Sequence, residues 1–227
     1  MNSANLNPAH KKVLVLDVGG THVKIHATHS GQTVKIPSGP KLTAGQMAAA
    51  VKKATAGWPY DVVSIGYPGP VAKNKPLREP HNLGGGWMKF DFKKAFGKPV
   101  KIVNDAAMQA LGGHHGGRML FLGLGTGLGS TMVVDDTLLP LELAHLPYKK
   151  NRSYEEYLGN AGLQRLGEKK WLANVFTVIE LLKNALLAEY VVLGGGNARL
   201  IKKFPPGIEP GKNSNAIRGG ERLWNQR

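Results

Sequence analysis

Val13-Leu14-Val15-Leu16 is a continuous apolar run. A short run of this kind, bounded by turn residues, predicts a buried strand. Residues 22–28 instead alternate, with Val23, Ile25 and Ala27 separated by polar positions. That period of two predicts a second strand and makes Gly19-Gly20 a hairpin turn. Further strands are expected at 33–36, 62–66, 100–103, 120–124, 130–134 and 190–193, with Asp135-Asp136 as a hairpin tip. Helical spacing predicts a helix over 43–57, with Met47, Val51 and Ala54 on one face and Gly57 as its stop. Shorter helices are expected at 90–96, 106–111 and 198–203, and longer ones at 153–166 and 171–187. The stretches 76–86 and 205–220 read as loops. Strands and helices alternate, so the fold class is α/β. Each half repeats a strand, a glycine turn and a strand, which predicts two related lobes with a cleft between them.

Three of the apolar runs end in glycine-rich turns. They are Asp17-Val18-Gly19-Gly20-Thr21, Gly123-Leu124-Gly125-Thr126-Gly127-Leu128-Gly129-Ser130 and Gly194-Gly195-Gly196-Asn197. One such turn is punctuation. Three at strand ends, the first carrying Asp and Thr, point to backbone N–H groups gathered around an anion such as phosphate.

Standard nucleotide motifs do not account for these turns. A P-loop needs Gly-x-x-x-x-Gly-Lys-Ser/Thr, whereas Gly97-Lys98 is followed by Pro99. A dinucleotide fingerprint from Gly123 would need a third glycine where Leu128 stands, and a strand pattern follows instead of a helix. His114-His115 is a poor metal pair, because adjacent helical residues do not share a face.

Composition narrows the picture further. The 227 residues are ample for a core, and no apolar run approaches the roughly 20 residues of a membrane helix. The first ten residues lack the apolar stretch of a signal peptide. The chain has no cysteine, which removes disulfides, thiolate metal sites and cysteine nucleophiles. Together these predict a cytoplasmic protein. Lys and Arg number 30 against 15 Asp and Glu, a net charge of +15. Such a surplus favours polyanions, although it also serves simple solubility. No basic helix, zinc finger or aromatic RNA-binding motif accompanies it, so specific nucleic-acid binding is not expected.

Taken in order, the motifs resemble those of the actin-like sugar kinases, in particular the ROK family (repressors, open reading frames, kinases). Asp17 to Thr21 resembles the first phosphate motif. Ile65-Gly66-Tyr67-Pro68-Gly69-Pro70-Val71 resembles the sugar-side Pro-Gly loop. Asn104-Asp105-Ala106 resembles the catalytic motif, and Gly123 to Ser130 the second phosphate motif. Glu142-Leu143-Ala144-His145 is similar to the Glu-x-Gly-His sugar motif, and Val192-Leu193-Gly194-Gly195-Gly196 to the adenosine-side turn. The resemblance covers about residues 13–200. Within the family it is strongest to the polyphosphate glucokinases, supported by Tyr154 to Gly167 and by Asn215-Ala216-Ile217-Arg218-Gly219-Gly220.

The resemblance implies an actin-like (ribonuclease H-like) two-lobed sugar kinase fold, with lobes at 11–104 and 105–227. It implies a glucokinase of carbohydrate metabolism that phosphorylates the 6-hydroxyl of glucose, using polyphosphate, ATP or both, with Mg²⁺. Asp105 is the expected general base; the alternative is that Asn104 or Asp105 only caps a helix. Pro68, Gly69, Asn82, Asn104, Asp105, Glu142, His145 and Glu155 are expected around the sugar. Asp17, Gly19, Gly20, Thr21, Lys24, Gly125, Thr126, Gly127, Gly194, Gly195 and Gly196 are expected around the donor phosphates and nucleotide. Asp17 would hold Mg²⁺ through water; the alternative is a turn Asp bonded to its own backbone. Trp87, near Asn82, reads as core, and Ser153-Tyr154-Glu155-Glu156 reads as a capping box, which makes Glu156 structural.

Two departures from the family pattern stand out. Many members carry a zinc site built on a His and a cysteine cluster, which this chain cannot form. Ala144 replaces the usual Gly and is expected to weaken a sugar contact by shifting His145. A homodimer is expected. The rival readings are a non-catalytic sugar-binding or regulatory relative, a kinase for another hexose, and a sugar-responsive repressor. The repressor needs a DNA-binding domain ahead of the first strand, where only about a dozen residues stand.

Overall fold

In the computed structural model, which describes residues 10–212 and 214–225, the strand that is apolar on both faces lies in the middle of a sheet. Strand β1 (Val13–Val18) hydrogen-bonds antiparallel to β2 (His22–Ala27), which pairs with the edge strand β3 (Thr33–Pro37). Helix α1 (Ala44–Ala54) follows; a Thr43–Gln46 capping box starts it, and it buries Met47, Ala48 and Val51. The chain returns as β4 (Val62–Tyr67), parallel to β1 and buried along its whole length. A small hairpin, β5 (Val71–Ala72) and β6 (Lys75–Pro76), leads to α2 (Phe92–Phe96). Strand β7 (Val100–Asn104) then closes the sheet in the order β3-β2-β1-β4-β7. Leu14, Leu16, Ile25, Met47, Ile65 and Trp87 form its dry core. Full burial of each aliphatic side chain there contributes roughly 1.5–3 kcal/mol.

A second sheet repeats this plan. Helix α3 (Asp105–Gly113) precedes β8 (Arg118–Leu124), β9 (Leu128–Val134) and β10 (Thr137–Leu141), which form an antiparallel meander. Helices α4 (Tyr154–Leu158), α5 (Asn160–Leu166) and α6 (Glu168–Ala185) come next. Strand β11 (Tyr190–Gly194) adds parallel to β8, and β12 (Ile208–Pro210) parallel to β11. The order β10-β9-β8-β11-β12 matches that of the first sheet strand for strand. Trp171, Val175, Val178 and Ile179 of α6 cover the sheet. Among the described residues no helix is long and apolar enough to cross a membrane.

The chain divides into two compact units. Of the described residues, one unit holds 10–105 together with 220–225, and the other holds those between Ala106 and Gly219. Residues 220–225 belong with the first unit. Within that unit the Trp224 indole N–H donates to Ser64 at 3.0 Å, and the Ser64 hydroxyl donates to the Gly220 carbonyl at 2.6 Å.

The structure corrects several local expectations, among them the helix at 198–203, which is a 3-10 turn at Gly196–Leu200. The stretch 205–220 is not a loop: it holds β12 and α7 (Asn215–Arg222). Its glycines, poor helix formers, give α7 room against α3, because a Cβ on Gly219 would run into the Met108 carbonyl. The helix expected over 153–166 breaks at Gly159, and the freed Asn160 N–H donates to the Thr126 carbonyl at 3.2 Å. Strand β10 was not anticipated; it is a half-exposed edge strand that tolerates Pro140.

Candidate active site

The residues singled out for chemistry collect at the carboxyl ends of strands in each unit, the usual ligand side of α/β sheets. In the first unit, Asp17 and Val18 end β1, and Gly19, Gly20 and Thr21 make the turn into β2. The Gly19 N–H donates to the His22 carbonyl at 3.0 Å, closing the turn. Ser38 fixes it from the side by donating its hydroxyl to the Gly19 carbonyl. Across the hairpin the Lys24 ammonium lies 3.2 Å from the Asp17 carboxylate. Thr21 is exposed. The Asn82 side chain lies over Gly20, with its Cβ 3.3 Å from where a side chain there would begin. The expected sugar loop and first phosphate turn are therefore neighbours.

The Pro68-Gly69 loop follows β4. Gly69 rests on the ring of Tyr67, and the Asn104 amide donates to the Gly69 carbonyl at 3.1 Å. Tyr67 and Asn104 are also register partners at the ends of β4 and β7. The loop is thus tied to the residue before Asp105. Asp105 opens α3, where the helix dipole favours a carboxylate, and it is half-buried.

Sequence reasoning missed the groups that organise this region. The Glu79 carboxylate accepts the backbone N–H groups of Trp87 at 2.9 Å and Met88 at 3.3 Å. The Tyr67 hydroxyl donates to the Arg78 carbonyl at 2.7 Å. Burial, reinforced by the Glu79 charge, pushes the Tyr67 phenol up to about 12. Trp87 is fully buried core. Nothing in local periodicity signals these partners, which are joined only by the folded loop.

In the second unit the two remaining glycine turns end neighbouring parallel strands, and Gly123 and Gly194 are register partners. Gly195 has φ +84° with the Leu124 backbone pressed against it, so the position accepts only glycine. The Asn197 amide donates to the Gly125 carbonyl at 3.3 Å and ties the turns together. Thr126 is exposed at the tip of its turn, and Ala106 lies against Gly129.

Glu142 and His145 flank a 3-10 turn, Leu143–His145, after β10, and both are exposed. Ala144 between them is buried in the unit's apolar core with φ outside the left-handed region. Glu155 is set against the second phosphate turn. Its carboxylate accepts the Leu128 N–H at 3.2 Å and packs on Gly127. Glu156 does make the capping box with Ser153, and the Ser153 backbone N–H holds its carboxyl below the usual range. The His114 ring faces Asp136 at 2.8 Å and the Gly117 carbonyl at 3.0 Å, with His115 directed elsewhere.

Among the described residues no three His, Asp or Glu side chains gather as a metal cage. A single strand-end carboxylate, Asp17, suits Mg²⁺ well, because this ion keeps several waters and takes its other ligands from substrate phosphates.

The ROK family model matches residues 13–140, more than half of the chain and the span that holds β1 to β9 and most of β10. The chain belongs to the ROK family. A polyphosphate glucokinase from Mycobacterium tuberculosis (strain ATCC 25177 / H37Ra) is 25% identical over 215 residues, covering 86% of this chain and 81% of that protein. A glucokinase from Pyrobaculum calidifontis is 28% identical over 135 residues, or 56% of this chain and 45% of that protein. Among solved structures, an inorganic polyphosphate/ATP-glucomannokinase from Arthrobacter sp. strain KM matches with a TM-score of 0.73 at 21% identity, covering 94% of this chain and 98% of that one. A Streptomyces griseus ROK glucokinase in complex with glucose and AMPPNP matches with a TM-score of 0.67 at 17% identity, covering 95% and 100%. The fold is accordingly the actin-like fold of the ROK sugar kinases.

Proposed function

We propose that this ROK protein is a glucokinase that transfers a phosphoryl group from polyphosphate, ATP or both to the 6-hydroxyl of glucose. The observation that carries the reading is the Asn104 bond to the Gly69 carbonyl, which fixes the strand end bearing Asp105 to the Pro-Gly loop. The names of the related proteins support glucose as acceptor and both donors.

In this reading Asp105 accepts the proton of the 6-hydroxyl as its oxygen attacks the terminal phosphorus. The new P–O bond forms while the bond to the leaving phosphate breaks, releasing ADP or a shortened polyphosphate. A positioned base of this kind contributes about 10²–10⁴-fold. Asn82, Asn104, Glu142 and His145 orient the sugar hydroxyls, which both donate and accept hydrogen bonds. The three glycine turns, with Thr21, Lys24 and Thr126, hold the donor phosphates and the nucleotide. Asp17 would hold Mg²⁺ through water, and the ion would supply charge neutralisation on those phosphates. The +15 charge suits a polyanionic donor. Contacts of that type are screened by salt, so the KM for polyphosphate should rise with ionic strength. The expected homodimer and cytoplasmic location belong to the same proposal.

Asp105→Ala tests the assignment: turnover is lost while glucose binding by calorimetry is kept. Turnover near the wild-type rate in that variant would remove Asp105 from the mechanism.

A further inference from the structure

The buried Ser130 hydroxyl has two partners, and they flank Glu142. Ser130 lies on β9 and is 8% exposed. Its Oγ donates to the Leu141 carbonyl at 2.9 Å and accepts the Leu143 N–H at 3.1 Å. The peptide groups on either side of Glu142 are therefore held by one oxygen. Leu141 is also the register partner of Ser130, at the point where β10 leaves the sheet for the 3-10 turn. Glu142 has φ −117° and ψ 58°, and its side chain makes no capping bond to that turn. Its exposed carboxylate is thus aimed by the backbone, and the backbone by Ser130.

The alternative, a strand serine that merely satisfies its own hydroxyl, would need one partner. Here the hydroxyl uses its donor on the Leu141 carbonyl and an acceptor site on the Leu143 N–H.

The geometry points to Ser130 as a positioning residue that sets Glu142 for the sugar. This role rests on the glucokinase reading above. Ser130 acts through Glu142.

The test is steady-state kinetics on the full chain with glucose and either donor. Loss of two hydrogen bonds that aim a ligand should raise the glucose KM roughly tenfold in Ser130→Ala. The donor KM and kcat should stay within about twofold, because uniform sugar binding is what is lost. Ser130→Thr, which keeps the hydroxyl on a strand, should restore the glucose KM. A double-mutant cycle then isolates the route. In a Glu142→Ala background, Ser130→Ala should add no further rise. An unchanged glucose KM in Ser130→Ala, or a rise that adds fully to that of Glu142→Ala, would overturn the role. If the alanine variant does not fold, Ser130→Cys keeps the shape with a weaker donor, and the same KM rise is expected; a normal KM would overturn the role. A wild-type chain inactive on every hexose with both donors would remove the glucokinase reading itself, and the role of Ser130 with it.

Discussion

Lys24 and Asp17 face each other across the first glycine turn, ammonium to carboxylate at 3.2 Å, with the lysine more than half exposed and the aspartate mostly buried. The pair joins the adjacent strands β1 and β2 at the register pair Asp17 and Lys24. An ion pair this exposed on one side contributes about 0–1 kcal/mol to stability. Its worth should be functional. Lys24→Ala is expected to leave the melting temperature nearly unchanged and to raise the donor KM roughly tenfold, the loss of about one charge-assisted phosphate contact. Thermal melts beside donor titrations check both halves. A large drop in stability with an unchanged donor KM would make the pair structural.

The contact of Glu155 with Gly127 yields a suppressor prediction. A methyl group at position 127 would collide with the Glu155 carboxylate, which is bonded to the Leu128 N–H. Gly127→Ala should therefore push the Glu155 carboxylate off the Leu128 N–H, at the cost of about one hydrogen bond, and lower kcat/KM for the donor by roughly three- to tenfold. Glu155→Ala in the same chain removes the obstacle, so the double variant should regain part of the donor affinity. An unimproved double variant would mean that the collision is not the cause.

Tyr67 makes the unit that carries it sensitive to alkali. Its phenol ionises at about 12 in the folded protein, against an ordinary 10.0, because burial and the Glu79 charge disfavour the phenolate. The raised value means that its contribution to stability is complete below about pH 10. It declines as the unfolded chain ionises first, and it is gone above the folded value. Melts at about pH 9 and about pH 11 should show a fall that is shallower in Tyr67→Phe. The same variant should remove a late-titrating tyrosine from the ultraviolet titration curve.

Trp224 holds the carboxyl-terminal segment to the first unit. Its N–H reaches the buried Ser64, and the Lys11 and Lys101 ammonium groups lie 5.1 and 4.6 Å from its ring centroid. Burial, and then the charge of Lys11, lowers the Lys101 pKa. Trp224→Ala should cost about 2 kcal/mol, or about 4–8 °C in melting temperature, given a half-buried ring with cation contacts. The glucose KM should change little. Calorimetric melts with parallel kinetics check this.

The fold was readable in the sequence wherever burial left a continuous apolar run or a clean alternation, as at β1, β2, β8 and β11. It was hidden where tertiary contacts overrode local preference. Gly219 argued for a loop, yet α7 is helical, because the missing side chain lets it press against the Met108 carbonyl. Pro140 disguised β10, since only an edge strand can hold it. Among the candidate site residues, the glycine turns and the Asn104-Asp105 step stand out in the sequence by motif order alone. Glu79, Tyr67 and Ser130 do not. Their partners lie 8 to 13 residues away through loops and strand ends, where no periodicity links them. Glu155 was named for the sugar, and the structure sets its carboxylate on the Leu128 N–H. The shared strand order of the two sheets shows why the halves of the sequence echo each other.

The most direct measurement is glucose 6-phosphate formation by the wild-type chain with Mg²⁺ and either ATP or polyphosphate as the only donor, beside Asp105→Ala. The account predicts product from at least one donor with the wild type, and a rate lower by about 10²–10⁴-fold with the variant at unchanged glucose affinity. No product from either donor, or a variant as fast as the wild type, would contradict it.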